Sequence, residues 1–466
     1  MLDVVIVGAG AAGIAAARRC GELGLTCLVL EAGTRPGGRA FTESDSLGTP
    51  FDHGASWVHV AEHNPLTPLA AALGFTRYDG PRRQREILLV GDRRATAEER
   101  RAHDAACDAW EEAAEARAAE PGADIPIAAA VPQDGPWAAT ASHWLGSIIC
   151  GVEPERNSLR DYVDTGLDGE NPQLAEGFGT LVARLAEGLP IRLRTPVHRI
   201  RAGRSITVET AAGPIEARTC IVTVSTGVLA AGRIAFEPGL PPDVAAAIAG
   251  LPMALLSKIA LRGGGLGLPP FARLGRQVQS PADRPFSWMI APFGRDQAIG
   301  FIGGELAWDL SRRGPAAAEA FARADLARFF GAEAVACAFP DAAVVTDWGE
   351  NPHFLGAYTY ARVGQAGARK VLSEAALADG RLRFAGEACH TRYAGTVGGA
   401  WASGLAAAEA TAAALAGTLA PRPERSSPPR PPPARTASSP SPRRWSPSHP
   451  PTRPATRAPA PRPPRR

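Results

Sequence analysis

Three groups of residues in this chain have the types and spacing to do chemistry. Gly8, Gly10 and Gly13 stand in VVIVGAGAAG, between an apolar run and an alanine-rich stretch, and Glu31 closes the next apolar run, LVLE. The order is strand, tight turn, helix, strand, acid. Gly8 permits the turn, Gly10 lets the backbone reach a pyrophosphate, and Gly13 lets helix and strand lie close. The helix N-terminus then faces the phosphates, and Glu31 can accept from a ribose hydroxyl. Next, GTRPGGRAFT adds a second tight turn at Gly37 and Gly38 and puts Arg39 beside it. A guanidinium there could clamp a pyrophosphate by paired hydrogen bonds. Third, Lys258 lies inside the apolar stretch LSKIALR and is one of only two lysines, against 48 arginines. Desolvation turns a lysine toward its neutral form. The competing reading is a lysine that reaches the surface from a strand.

These residues need elements to position them. Leu2 to Val7 reads as a buried parallel strand, followed by a helix to about Leu23 and a second strand over Thr26 to Leu30. From about 80 to 176 the pattern is mainly helical, with Ala97 to Glu120 and Trp137 to Ile149 as helices. Residues 178–191 predict a helix and 191–200 a strand. Ser205 to Glu209 and Glu216 to Thr219 predict a hairpin around Ala212 and Gly213, and Cys220 to Val224 a further buried strand. A strand-rich region opens at 253–262, with strands near 286–290 and 298–304, and Ala316 to Phe330 reads as helix. From Arg381 the pattern returns to strand, loop and a long alanine-rich helix ending near Leu419. The fold class expected is α/β. A Rossmann-type dinucleotide domain, discontinuous in sequence, takes 1–76, 178–252 and 375–420. A mixed sheet-and-helix substrate domain takes 77–177 and 253–374.

Composition bounds the rest. The net charge of +3 averages two unlike parts. Residues 422–466 hold 11 arginines and one acid, Glu424, which leaves 39 basic and 46 acidic side chains in residues 1–421, a net of −7. The Pro-, Ser- and Arg-rich tail, 421–466, can repeat neither a helical stripe nor a strand alternation, so disorder is expected. It could contact acidic surfaces through screened charge. With Trp445 as its one aromatic and no recognition motif, it predicts no specific nucleic-acid binding. The seven cysteines are scattered without a CxxC pair, so no zinc or iron–sulfur site, and no other metal, is expected. Their odd number suggests free thiols in a reducing compartment. No basic, apolar leader precedes the first strand and no apolar run reaches spanning length. A soluble, cytoplasmic protein with no membrane contact is the expectation.

Several separate segments over residues 1 to about 420 resemble the flavin-dependent amine oxidase family, which includes monoamine and polyamine oxidases. They are VVIVGAGAAG with LVLEAGTRPGGRAFT, then HGASWVHVAEHNPLTPLAAALG, LAEGFGTLVARLAEGL, CIVTVSTGVLAAGRIAFEPGLP, LSKIALR, DWGENPHFLGAYTYARVG and GEACHTRYAGTVGGAW. Ser225 and Thr226 stand where Pro and Leu are usual in the family. SWVHV looks most like animal-type polyamine oxidases, which carry a histidine at the place of His59. The tail has no counterpart.

The resemblance implies FAD as cofactor, a small amine and molecular oxygen as reactants, and an imine, an aldehyde and hydrogen peroxide along the way. By resemblance Lys258 would hold a water against flavin N5. Trp348 and Tyr393 would form aromatic walls around the amine, although each could be an ordinary core residue. Tyr358 and Tyr360 alternate in AYTY and could line the pocket from one side of a strand. His59 would bind a substrate nitrogen or relay a proton, or be a structural histidine. Glu62, Asp164, Asp168 and Glu170 are candidate anchors for remote ammonium groups, or simply solvated acids. Glu387 would hold the ribityl and phosphate side of FAD. The backbones of Thr396 and Val397 would meet the flavin ring, and that of Val197 the adenine. Cys389 does not align with the family's covalent linkage, so FAD is expected to be noncovalent. An L-amino-acid oxidase or aromatic monoamine oxidase, a carotenoid- or porphyrin-type flavin oxidase, and a flavin-bound interaction protein with a recruiting tail are the alternatives.

Overall fold

A computed structural model describes residues 1–78, 86–280 and 282–419. The chain separates into two units, Met1–Ala420 and Pro421–Arg466. The second unit, and with it the expected disordered tail, lies outside the described residues.

The first sheet is built from distant parts of the chain. Its order runs Ala235–Glu237, Val197–Ala202, Ile206–Thr210, Gly213–Val222, Leu2–Val7, Cys27–Leu30 and Ile191–Arg192, and Leu382–Phe384 also pairs with Gly213–Val222. Leu2–Val7 pairs parallel with Cys27–Leu30 on one side and Gly213–Val222 on the other. Buried on both faces, Val4 to Val7 have to be apolar throughout, which is why the run does not alternate. The helices Ala11–Glu22 and Val397–Leu419 lie together beside it. A methyl on Gly404 would stand 2.1 Å from Ala12 O, so only a residue without a side chain permits this approach. This is the Rossmann-type domain, assembled from segments hundreds of residues apart.

The second sheet is mixed and runs Val344–Val345, Leu256–Arg262, Gln297–Gly303, Ser287–Ile290, Ala272–Arg276, Glu86–Val90 and Arg93–Arg94. Its pairs are antiparallel except for Ala272–Arg276 with Glu86–Val90. Lys258 stands opposite Phe301 in this register. Helices cover it, among them Pro315–Phe330, whose Ala318, Ala322 and Leu326 pack into the sheet's core. Ala97–Ala118 starts with a reciprocal cap. Thr96 Oγ1 accepts from Glu99 N, and Glu99 Oε2 from Thr96 N.

Four expected elements differ from those observed. The helix from 178 ends at Leu185, because Gly188, with φ of 77°, and Pro190 break it. The strand expected over 191–200 is two strands on different neighbours. Ile191–Arg192 pairs with Cys27–Leu30, Arg194 turns at φ of 50°, and Val197–Ala202 pairs with Ile206–Thr210. The hairpin strand and the strand from Cys220 are one element, Gly213–Val222, since a single run crosses from solvent edge to core. The helix expected over 137–149 is α-helical over Ala138–Ser142 and π-helical over His143–Ile148.

Candidate functional site

The dinucleotide end forms where the first strand turns into the first helix. Gly8 turns with φ of 104°, in the left-handed region. A methyl on Gly13 would stand 1.9 Å from Gly8 O, so helix and turn are in direct contact there. A methyl on Gly10 would meet nothing within 4 Å. Gly10 also caps the helix without a side-chain bond, so its first-turn N–H groups face outward without a capping side chain. The second turn folds over the first. Gly37 N donates to Ala9 O at 2.8 Å, and a methyl on Gly38 would lie 3.2 Å from Gly10 Cα. Glu31 accepts from Ala9 N and Gly33 N, both at 2.7 Å. An ionised carboxylate has about four acceptor positions, so two remain for hydroxyl donors. Thr195 N donates to Glu31 O, which brings the start of the Val197 strand alongside. A glycine-bare surface, an uncapped helix start and a carboxylate with spare acceptors fit an adenine dinucleotide such as FAD.

Arg39 leads from this end into a buried network of charge. Its Nη1 donates to Ala357 O at 2.7 Å and to Glu387 Oε1 at 3.0 Å. Glu387 Oε2 accepts from Thr359 Oγ1 at 2.6 Å and from Gly395 N at 3.1 Å. Burial pushes the Glu387 carboxyl up, and Arg39, the Thr359 hydroxyl and Arg369 together hold it below the usual range. Thr359 Oγ1 in turn accepts from Arg369 Nη1 at 2.8 Å, and Arg369 grips Asp161 with Nε and Nη2 at 2.7 and 2.8 Å. The structure thus brings Arg39 and Glu387 together, as two members of one chain of contacts. Arg369, Asp161 and Thr359 were missed by sequence reasoning. One arginine among 48 carries no signal of its own.

Lys258 is 3% exposed and does not reach the surface. Its Nζ donates to Asp52 O at 2.7 Å, Gly54 O at 2.5 Å and Ser56 Oγ at 2.6 Å. The rings of Phe51, Trp57 and Phe301 stand 6.0, 5.9 and 5.7 Å from it, within the range where ring quadrupoles attract a cation. Burial lowers its pKa to about 8, while Asp52 pulls the other way. The Asp52 carboxylate does not touch it. That carboxylate accepts from Thr42 Oγ1 and from Phe178 N and Gly179 N at the start of the Phe178–Leu185 helix. Burial nevertheless raises the Asp52 pKa. Trp348, 6% exposed, donates Nε1 to His53 O at 3.0 Å and lies edge-on to Phe354. A methyl on Gly54 would meet Trp348 Cζ2 at 3.1 Å, so Trp348 and Lys258 flank the same short segment. Ala55 N donates to Arg39 O, which ties that segment to the dinucleotide end. Asp52 and Ser56 are further residues that sequence reasoning passed over. Their signal was present, since both fall in FDHGASWVH, the stretch that ends at His59.

A small pocket is lined by His59, Val60, Asn64, Pro65, Leu167, Tyr393, Thr396 and Gly398. Asn171 donates to Gly169 O and accepts from Val60 N, which fixes its amide orientation. Its Oδ1, 2.8 Å from His59 Nδ1, then makes Nδ1 the protonated ring nitrogen. Tyr393 is half-buried and stacks on His390 at 5.2 Å. Thr396 caps the final helix, with Oγ1 accepting from Gly399 N at 2.9 Å. Val397 is its first residue. Tyr360 is buried with Val152 and Ala254, and Tyr358 packs on that cluster and donates to Ile149 O. Glu62 and Glu170 are exposed. Glu62 accepts from Glu170 N, and Glu170 pairs with Arg77. Asp164 and Asp168 are exposed too. Cys389 is buried against the first sheet's core, and burial raises its thiol to about 12.

Comparisons with known proteins bear on the family and the fold. The family described as flavin containing amine oxidoreductase matches residues 139–412, and a NAD(P)-binding Rossmann-like domain matches residues 6–73. The chain is 30% identical over 447 residues to polyamine oxidase 3 of Oryza sativa subsp. japonica, covering 87% of this chain and 88% of that one. It is 28% identical over 453 residues to the protein FLOWERING LOCUS D of Arabidopsis thaliana, covering 86% of this chain and 54% of that one. In fold it is similar to cyclohexylamine oxidase from Brevibacterium oxydans IH-35A, with a TM-score of 0.73 at 22% identity over 89% of this chain and 99% of that one. A putrescine oxidase matches with the same TM-score of 0.73 at 20% identity, over 88% and 99%. The family match spans more than half of the chain, and the chain belongs to the flavin-containing amine oxidoreductase family.

Proposed function

We propose that the chain oxidises a polyamine at a carbon–nitrogen bond, using noncovalently bound FAD and dioxygen. Amine, dioxygen and water would yield an aldehyde, a smaller amine and hydrogen peroxide, one of each. When bound, FAD supplies the two-electron acceptance that takes hydrogen from the carbon beside the amine nitrogen. The single observation that carries the reading is the 52–56 segment. One side of it holds the Lys258 ammonium and the other is bonded to Arg39.

Gly8, Gly10, Gly13, Gly37 and Gly38 would admit the pyrophosphate, and Glu31 would accept from the ribose. Val197 would offer its backbone to the adenine. Arg39 and Glu387 would border the ribityl and phosphate side. Thr396 and Val397 would direct the final helix's N–H groups at the flavin ring, where they favour negative charge. Trp348 and Tyr393 would enclose the amine, with Tyr358 and Tyr360 behind them, and aromatic faces favour a positive charge by about 1–2 kcal/mol when desolvated. His59 would meet a substrate nitrogen, and its protonated Nδ1 would leave Nε2 as the basic atom. Glu62 and Glu170 would attract remote ammonium groups from the exposed rim. The relatives named polyamine oxidases support a polyamine over a short amine. The buried, protonated Cys389 supports noncovalent FAD. Seven free cysteines support a reducing, cytoplasmic setting.

The test is anaerobic mixing of reconstituted protein with spermine, spermidine and their acetylated forms, against benzylamine and tryptamine, followed by peroxide detection in air. Flavin bleaching fastest with a polyamine is expected. A preference for a short aromatic amine would defeat the polyamine assignment, and no bleaching with any amine would defeat the reaction itself.

A further inference from the structure

We propose that Ser56 is a positioning residue that lets Lys258 hold either charge state without leaving a buried polar atom unpaired. The inference deepens the amine-oxidation reading and rests on it for its functional meaning. An ammonium has three N–H donors, and Lys258 finds three oxygens within 2.7 Å, at Asp52 O, Gly54 O and Ser56 Oγ. Two of these are main-chain carbonyls, which can only accept. The third is a hydroxyl, which can accept or donate. With Lys258 charged, Ser56 accepts, and its own hydrogen turns toward Gly54 O, 3.5 Å away. With Lys258 neutral, the two remaining N–H groups serve the two carbonyls, and the Ser56 hydroxyl rotates to donate to the nitrogen lone pair. No heavy atom has to move. Ser56 is 6% exposed, so water is a poor substitute for this partner.

The groups that face Lys258 set where the change occurs. On the Phe51–Asp52 strand, Asp52 favours the charged form, and the ammonium in turn disfavours a charge on His53. Arg295 and Glu43 act one step removed, Arg295 through Asp52 and Glu43 through its bond to His53. From the second sheet Lys258 meets Phe301, and Thr346, whose Oγ1 accepts from Lys258 N; neither is charged. The charge beside the redox site can therefore change by one unit while the segment joining it to Arg39 stays in place.

The chain's composition makes this directly measurable. Lysine labelled with 13C at Cε gives two resonances, from Lys258 and from Lys370, which is exposed and paired with Glu374. In FAD-reconstituted protein the Lys258 resonance should titrate near pH 8. Ser56→Ala removes a bond to a cation, which is stronger than the bond to a neutral amine that it also removes, so the midpoint should fall by about one pH unit. Ser56→Cys, a second variant in case alanine does not fold, should lower it in the same direction. Ser56→Thr keeps a hydroxyl and should restore the midpoint. An unmoved midpoint in both Ala and Cys variants, or a Thr variant displaced as far as Ala, would overturn the proposal. Because the readout is protonation and not turnover, this result stands apart from the outcome of the amine panel.

Discussion

Two cations are buried in this molecule to nearly the same depth, Lys258 at 3% exposed and Arg369 at 2%, and they are held in opposite ways. Arg369 faces a carboxylate. Its Nε and Nη2 meet the two oxygens of Asp161 at 2.7 and 2.8 Å, a fork-to-fork pair. Lys258 faces only neutral oxygens, and the nearest carboxylate, Asp52, is turned to Thr42 and to the start of the Phe178–Leu185 helix. The first arrangement fixes structure. It joins the Leu159–Asp164 helix to the Tyr358–Thr359 strand and, through Thr359, to Glu387. The second keeps a charge close to leaving, because burial is opposed only by a distant carboxylate and its pKa falls to about 8. The same degree of burial therefore gives a lock in one place and a titratable group in the other.

The difference predicts unequal responses to the same substitution. Arg369→Met leaves Asp161 buried and charged without its partner and should cost about 3–5 kcal/mol of unfolding free energy. Lys258→Met strands no carboxylate, and removing a buried charge offsets the three lost hydrogen bonds. Its stability at pH 7 should stay within about 1 kcal/mol of the parent. Urea unfolding of both variants checks this, and equal losses would break the contrast. The next effect is a pH dependence. Below about pH 8 Lys258 is protonated both folded and unfolded, and the full penalty for burying its charge is present. Between about 8 and the ordinary 10.5 the unfolded chain still binds the proton that the folded one has released, so stability rises with pH. Relative to Lys258→Met, the parent should gain about 3 kcal/mol across that window. A flat difference would show that the lysine is not held in a state that disfavours its charge.

These contrasts also explain what could be read in advance. The glycines and Glu31 were legible because their constraints are local: Gly8 and Gly13 touch each other five positions apart, and any chain making that turn needs them small. Lys258 was legible through scarcity, as one of two lysines in a chain that otherwise uses arginine. The clamp on Asp161 was not, because Arg369 lies 208 positions away and neither residue repeats with a period or sits in a spaced motif. The split of 191–200 was hidden for a related reason. Its residues alternate as one strand would, and only the turn at Arg194, whose N–H bonds to Gly33 O, moves Val197 to another neighbour. The roles of Glu62 and Glu170 turn on exposure, which a run of acids does not reveal.

The smallest expected effect tests the comparison most closely, because each site contains one hydroxyl. Thr359 Oγ1 accepts from Arg369 Nη1 at 2.8 Å and donates to Glu387 Oε2 at 2.6 Å. Since a guanidinium can only donate and an ionised carboxylate can only accept, this hydroxyl has one allowed direction. Ser56 faces an amine that can do either. Thr359→Val keeps the shape and removes the bridge, so it should cost about 1–3 kcal/mol, with Thr359→Ser recovering most of it. The cost should be the same at pH 6.5 and pH 9, because neither neighbour of the hydroxyl changes charge between them. Ser56→Ala should instead change its effect over that range as Lys258 gives up its proton. If unfolding free energies of Thr359→Val vary with pH as those of Ser56→Ala do, the two sites do not differ as lock and titratable group.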